Sequence, residues 1–180
     1  GQQIGTVPAL GEAEMRVAIG AAQRSQRAWR ALLPRERSDL LMRLYALMLE
    51  NREELAVLMT AEQGKPIADA AGEIDYAASF VRWFAEEANR TYGDVIPSHL
   101  PGRKMFVQRE PVGVVGVVTP WNFPSAMLTR KAAAALAAGC SVIAVPSSET
   151  PYSALAIAAL IERAGFPPGV FSVLTGNARV

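Results

Sequence analysis

Residues 113–145 read GVVGVVTPWNFPSAMLTRKAAAALAAGCSVIAV. Two uncharged, β-branched runs, GVVGVV and SVIAV, flank an alanine-rich segment that reads as a helix over 125–138, closed by Gly139. Near-continuous apolar strands joined through a helix imply a parallel sheet buried on both faces, because parallel strands need a crossover whose helix covers the sheet. Downstream, Thr150 stands where a helix N-cap belongs and Pro151 at the first helical position. The helix YSALAIAALIERAG then ends at Gly165, and GVFSVL supplies a third strand. The order is strand, helix, strand, helix, strand. Just beyond the first strand lie an amide, Asn122, and two adjacent cations, Arg130 and Lys131.

Upstream the texture changes. Residues 12–90 carry Glu, Arg, Ala and Leu at helical spacing. One helix is expected from Glu12 to Leu33, stopped by Pro34. A second runs from about Glu36 to Gly64 with a break near Asn51, and a third from Pro66 to a turn at Gly93. KMFVQREPVGVVGVV reads as two strands joined by a turn at Glu110 to Gly113. The fold class expected is therefore α/β: N-terminal helices over 1–98, then a hairpin and half of a Rossmann-like βαβαβ sheet over 99–180. Ligands of such sheets gather at the carboxyl ends of the strands. No GxGxxG follows any strand, so no phosphate-cradling glycine loop is inferred.

Composition excludes several classes. With 51% hydrophobic and 19% charged residues the chain is globular. A net charge of +1 gives no case for nucleic acid or an anionic membrane. No apolar run approaches the roughly 20 residues of a membrane-spanning helix. One Cys and one His exclude an internal disulfide framework and argue against a Cys/His zinc site. No secretory signal precedes the first helix, and a reducing, cytoplasmic setting is the expectation. Cys140 follows a helix-closing glycine and opens a buried strand, so it reads as an inert core thiol, and His99 reads as a solvated loop residue.

The chain resembles the aldehyde dehydrogenase superfamily, and within it the succinate-semialdehyde dehydrogenases. The resemblance rests on EQGKP at 62–66, GEIDYAASFVRWFAEEANRTYGDVIP at 72–97, PVGVVGVVTPWNFP at 111–124, RKAAAALAAGC at 130–140 and ETPYSALA at 149–156. It implies NAD(P)-dependent oxidation of an aldehyde to an acid, in which a cysteine thiolate attacks the aldehyde and a glutamate-activated water hydrolyses the resulting thioester. It further implies that Asn122 is the oxyanion donor, a role worth about 3–4 kcal/mol in comparable sites. From spacing alone Asn122 reads as a turn residue, and it is the whole TPWNFP block that favours the donor role. Lys131 matches a family lysine near cofactor and catalytic centre; otherwise it is a solvated helix residue. Arg130 matches the arginine that grips the substrate's distal carboxylate, a task suited to a planar guanidinium. Its competing reading is a salt bridge to a helix glutamate. Thr119, Pro120 and Trp121 would lie beside the cofactor. EQGKP is expected to end a helix and fix a loop, with no catalytic role for Glu62 or Lys65.

The pattern departs from the family at two cofactor positions. Val145 stands where the family has a lysine that holds the adenosine ribose or a 2′-phosphate, which weakens the cofactor expectation. Ser148 stands where many NAD-preferring members carry a glutamate, and the loss of that carboxylate leans toward NADP over NAD. The resemblance also places the nucleophilic cysteine, the general base and the oligomerisation strand after Val180. The expectation is thus a single, partial NAD(P)-binding domain whose longer parent forms a homo-oligomer and takes a small aldehyde with a distal carboxylate. The alternatives are a related semialdehyde enzyme, such as one for glutarate semialdehyde, and a non-catalytic nucleotide-binding or interaction module.

Overall fold

The computed structural model describes residues 3–176. Four helices come first: α1 (Glu12–Ala31), α2 (Pro34–Glu50), α3 (Arg52–Gln63) and α4 (Ile67–Glu87), the last followed by a 3-10 turn, Ala88–Arg90. Each boundary has a local cause. Pro34 opens α2, where the Leu33 amide donates to the Glu36 carboxylate at 2.7 Å. The break expected near Asn51 is present, with the Asn51 side chain donating to the Leu47 carbonyl at 2.7 Å. Helix α3 ends at Gly64, whose φ of 78° is the left-handed conformation a side chain resists.

Strands β1 (Asp94–Ile96) and β2 (Met105–Val107) pair antiparallel, with Asp94 opposite Val107. This corrects the expected hairpin: β2 pairs backward with β1, and not forward across Glu110–Gly113 with β3 (Val114–Val118). Gly93 permits the approach, since a Cβ there would lie 2.2 Å from the Val107 carbonyl oxygen. The hairpin therefore straddles residue 98.

Strand β3 leads through α5 (Pro124–Ala137) to β4 (Ser141–Val145), and through α6 (Pro151–Arg163) to β5 (Phe171–Val173). The sheet is parallel in the order β3-β4-β5, with Val118 opposite Val145 and Ala144 opposite Val173, as the strand–helix alternation implies. Alternate residues face opposite sides. Val117, Val142 and Ala144 join the main core, which is filled by Trp29, Leu41, Met48, Met59, Ile74, Leu128, Leu136 and Ile157. Ile143 and Val114 turn the other way and pack with Ala22, Met15 and Leu174 beneath α1. Helices α4 and α5 pack against each other, and both bury small residues, Ala70, Ala77 and Ala78 on one and Ala126, Ala132 and Ala133 on the other. No helix of the described residues is long and apolar enough to cross a membrane.

Candidate active site

The two crossover helices are held at both ends by side chains from the N-terminal helices. At the start of α5, Glu73 Oε1 accepts the backbone amides of Ser125 (3.0 Å) and Ala126 (3.2 Å). At its end, Trp29 Nε1 donates to the Leu136 carbonyl (3.1 Å), Arg37 Nε to Ala137 (3.1 Å) and Gln26 Nε2 to Gly139 (3.3 Å). Helix α6 repeats the scheme. Glu62 accepts the amides of Tyr152 (2.8 Å) and Ser153 (2.9 Å) and the Ser153 hydroxyl, while Arg43 Nε donates to the Ala164 carbonyl at 3.0 Å. An anion at the N-terminus and a cation at the C-terminus oppose the helix dipole and satisfy groups that would otherwise be orphaned. Burial lowers the Arg37 pKa, and burial raises that of Glu62 against the opposing pull of its bonds from Ser153 and Tyr152.

This bracketing has a chemical consequence. With Glu73 and Glu62 seated on them, neither helix N-terminus is open to a phosphate, which agrees with the missing glycine loop. Thr150 occupies the expected cap position of α6, but its buried hydroxyl has no partner, and Glu62 does the capping.

The TPWNFP turn joins β3 to α5. Thr119 is buried, and its amide donates to the Val145 carbonyl at 3.2 Å, which ties the carboxyl ends of β3 and β4 together. Pro120, Trp121 and Asn122 are exposed. The turn is held through its backbone: Gln63 Nε2 donates to the carbonyls of Trp121 (2.8 Å) and Asn122 (2.9 Å), and Lys65 Nζ to that of Asn122 (3.0 Å). Lys65 also pairs with Glu73 and lies 4.3 Å from the Phe123 ring centroid. Among the described residues the Asn122 side-chain amide has no hydrogen-bond partner.

The two cations diverge. Lys131 Nζ reaches back to the Val118 carbonyl at the end of β3, 3.4 Å away. Arg130 turns toward α4, its guanidinium 6.0 Å from the Phe80 ring, whose centroid lies 4.6 Å from that of Tyr76 with the two rings tilted by 59°. Among the described residues Arg130 has no carboxylate partner, so the salt-bridge reading has no support. The expectation that amide and both cations face one pocket is not met as an enclosed cavity: all three side chains are on the surface.

The cofactor positions also separate. Val145 lines a cleft of about 990 Å³ between α1 and the sheet, with Gly116, Val118 and Ile143. Ser148 lines a smaller cleft of about 280 Å³ at the ends of β4 and β5, with Pro146, Pro151 and Thr175, one wall being Val7–Ala9. Cys140 is 3% exposed, as expected of a core thiol, and His99 is exposed.

The aldehyde dehydrogenase family profile matches residues 1–180. The chain belongs to the aldehyde dehydrogenase family. It is 60% identical to glutarate-semialdehyde dehydrogenase of Pseudomonas aeruginosa and 55% identical to succinate-semialdehyde dehydrogenase [NADP(+)] of Escherichia coli, each match covering 99% of this chain and 37% of the relative. A crystal structure of succinate-semialdehyde dehydrogenase from Burkholderia pseudomallei superposes with a TM-score of 0.98 at 49% identity, over 99% of this chain and 37% of that one. The chain thus spans little more than a third of the aldehyde dehydrogenases it matches. Its architecture is that of part of an aldehyde dehydrogenase cofactor-binding domain.

Two residues that hold the aldehyde dehydrogenase turn are not legible as such in the sequence. Glu73 sits within an amphipathic helix and Gln63 at a helix end, and both act on residues more than fifty positions away. Only EQGKP, read from the sequence as a helix end that fixes a loop, points to the second of them.

Proposed function

We propose that this chain is the cofactor-side portion of an NAD(P)-dependent aldehyde dehydrogenase that oxidises a small aldehyde with a distal carboxylate, succinate semialdehyde first. The observation that carries the reading is an exposed guanidinium, Arg130, without an acidic partner among the described residues, on the helix that follows the Asn122 turn. A substrate carboxylate supplies what that guanidinium lacks, in bidentate form. The names of the relatives support the class, since both act on semialdehydes of dicarboxylic acids. A glutarate-semialdehyde substrate is the second reading, favoured by the 60% identity to an enzyme of that name.

In this scheme Asn122 donates its amide to the aldehyde oxygen as negative charge develops there. The donor is effective because the turn beneath it is fixed before substrate arrives. Arg130 seats the far carboxylate and so sets which end of the molecule meets Asn122. Lys131, bonded to the end of β3, places a positive charge beside the strand ends where the cofactor lies. A nicotinamide cofactor, when bound, accepts the hydride. Thr119, Pro120 and Trp121 form one wall of its site. Val145 offers the ribose an apolar contact only, and Ser148 a hydroxyl without the charge that would repel a 2′-phosphate, so NADP is favoured over NAD. The full-length protein is proposed to be a homo-oligomer acting in the cytoplasm.

The test is the full-length protein that carries this segment, assayed with NADP and with NAD on succinate semialdehyde, glutarate semialdehyde and butanal. A kcat/KM for either acid aldehyde well above that for butanal is expected. Equal values for the acid and neutral aldehydes would overturn the substrate class, and no binding of either cofactor would favour a non-catalytic module.

A further inference from the structure

Lys65 is the one ammonium in the described residues that joins a nearly buried carboxylate to the backbone of the candidate site. Its side chain is 14% exposed and that of Glu73 is 1% exposed. The two oxygens of Glu73 divide their work: Oε1 takes the first amides of α5, and Oε2 takes Lys65. Lys65 then donates to the Asn122 carbonyl at 3.0 Å, and Gln63 donates to the same carbonyl at 2.9 Å and to that of Trp121 at 2.8 Å. A carbonyl held by two donors fixes the peptide plane that follows Asn122. The backbone from which the Asn122 side chain projects is thereby held in place.

We propose that Lys65 and Gln63 are positioning residues for Asn122, with Glu73 locking Lys65 to the start of the helix that carries Arg130 and Lys131. The oxyanion donor is set through its own backbone, from the corner between α3 and α4, and not by any contact to its side chain. Glu73 makes the device a single unit. It fixes the start of α5 and the anchor of the turn with one carboxylate, so Asn122 and Arg130 keep a constant separation. The ammonium also stacks on Phe123, whose ring keeps it from swinging into solvent.

The inference rests on the oxyanion role proposed for Asn122, and a double-mutant cycle separates the two. Five forms of the full-length protein are compared with the parent by kcat at saturating aldehyde and cofactor: Lys65→Met, Gln63→Leu, Asn122→Ala, and Asn122→Ala combined with each of the other two. Lys65→Met keeps the stem against Phe123 but loses both bonds. Gln63→Leu spares the Lys65–Glu73 pair and serves if loss of Lys65 prevents folding. We expect each single positioning variant to lower kcat ~10- to 100-fold, the cost of a donor displaced by a fraction of an ångström to an ångström. In the Asn122→Ala background neither should lower kcat more than about twofold, because a positioning residue has nothing left to position. Cofactor affinity, read by fluorescence titration, should not move. If the effects multiply in the double variants, or if kcat and cofactor affinity fall together, the role is a structural one and the proposal fails. It fails also if Gln63→Leu and Lys65→Met leave kcat intact while Asn122→Ala lowers it. An Asn122→Ala enzyme with undiminished kcat would instead overturn the oxyanion reading itself.

Discussion

Replacing Asn122 by alanine should separate catalysis from stability. The residue is exposed, and among the described residues its side-chain amide bonds to nothing. What anchors it is its carbonyl, which alanine retains, so the bonds from Gln63 and Lys65 survive the change. A surface substitution that breaks no contact changes folding free energy by no more than about 0.5 kcal/mol. The transition state is another matter. In the proposed reaction the developing alkoxide loses its preorganised donor, and comparable deletions cost about 3–4 kcal/mol, or ~10²- to 10³-fold in kcat. Asn122→Asp should be worse, since a carboxylate there repels the developing charge. The assay is steady-state turnover of the full-length protein at saturating cofactor, beside a denaturant melt of the same samples. A kcat within about tenfold of the parent, or a turnover loss matched by a loss of several kcal/mol in stability, would refute the reasoning.

Trp29→Phe should cost about 1–2 kcal/mol and Trp29→Ala about 3–5, read from denaturant midpoints. The smaller value follows because the Leu136 carbonyl that loses the indole still accepts the Gly139 amide at 3.0 Å. Burial raises the Glu62 pKa above its ordinary 4.5, so the folded protein holds that proton more tightly than the unfolded chain does. Its contribution is present below the ordinary value and lost as pH rises through the folded one. Stability of the parent relative to Glu62→Gln should therefore fall as pH rises across that window, and parallel curves would contradict the assignment.

Much of the fold was legible because its signals are local. GVVGVV and SVIAV announce buried strands by β-branched content alone, and Pro34, Asn51, Gly64 and Pro151 punctuate the helices where the chain turns. The hairpin was misread because β1 is three residues long, fully exposed and without alternation, so nothing in DVI competes with the longer run after Pro111. The caps of α5 and α6 were invisible for a different reason. Glu73 and Glu62 lie 52 and 91 positions from the amides they accept, and their neighbours in sequence give no hint of it. Thr150 shows the same limit from the other side: its position is right, yet a distant carboxylate outcompetes its hydroxyl. At the site, the residue types Asn, Arg and Lys were evident, whereas the divergence of Arg130 toward Phe80 and Lys131 toward Val118 depends on the helix phase and on α4 packed alongside.

The carboxylate clamp is tested most directly by Arg130→Ala in the full-length protein, with kcat/KM measured on succinate semialdehyde and on butanal. A lost charged hydrogen-bonding pair is worth about 1.5–3 kcal/mol, so the acid aldehyde should lose ~10- to 100-fold while butanal changes by less than about threefold. An equal fall on both substrates, or no fall on either, would contradict the account.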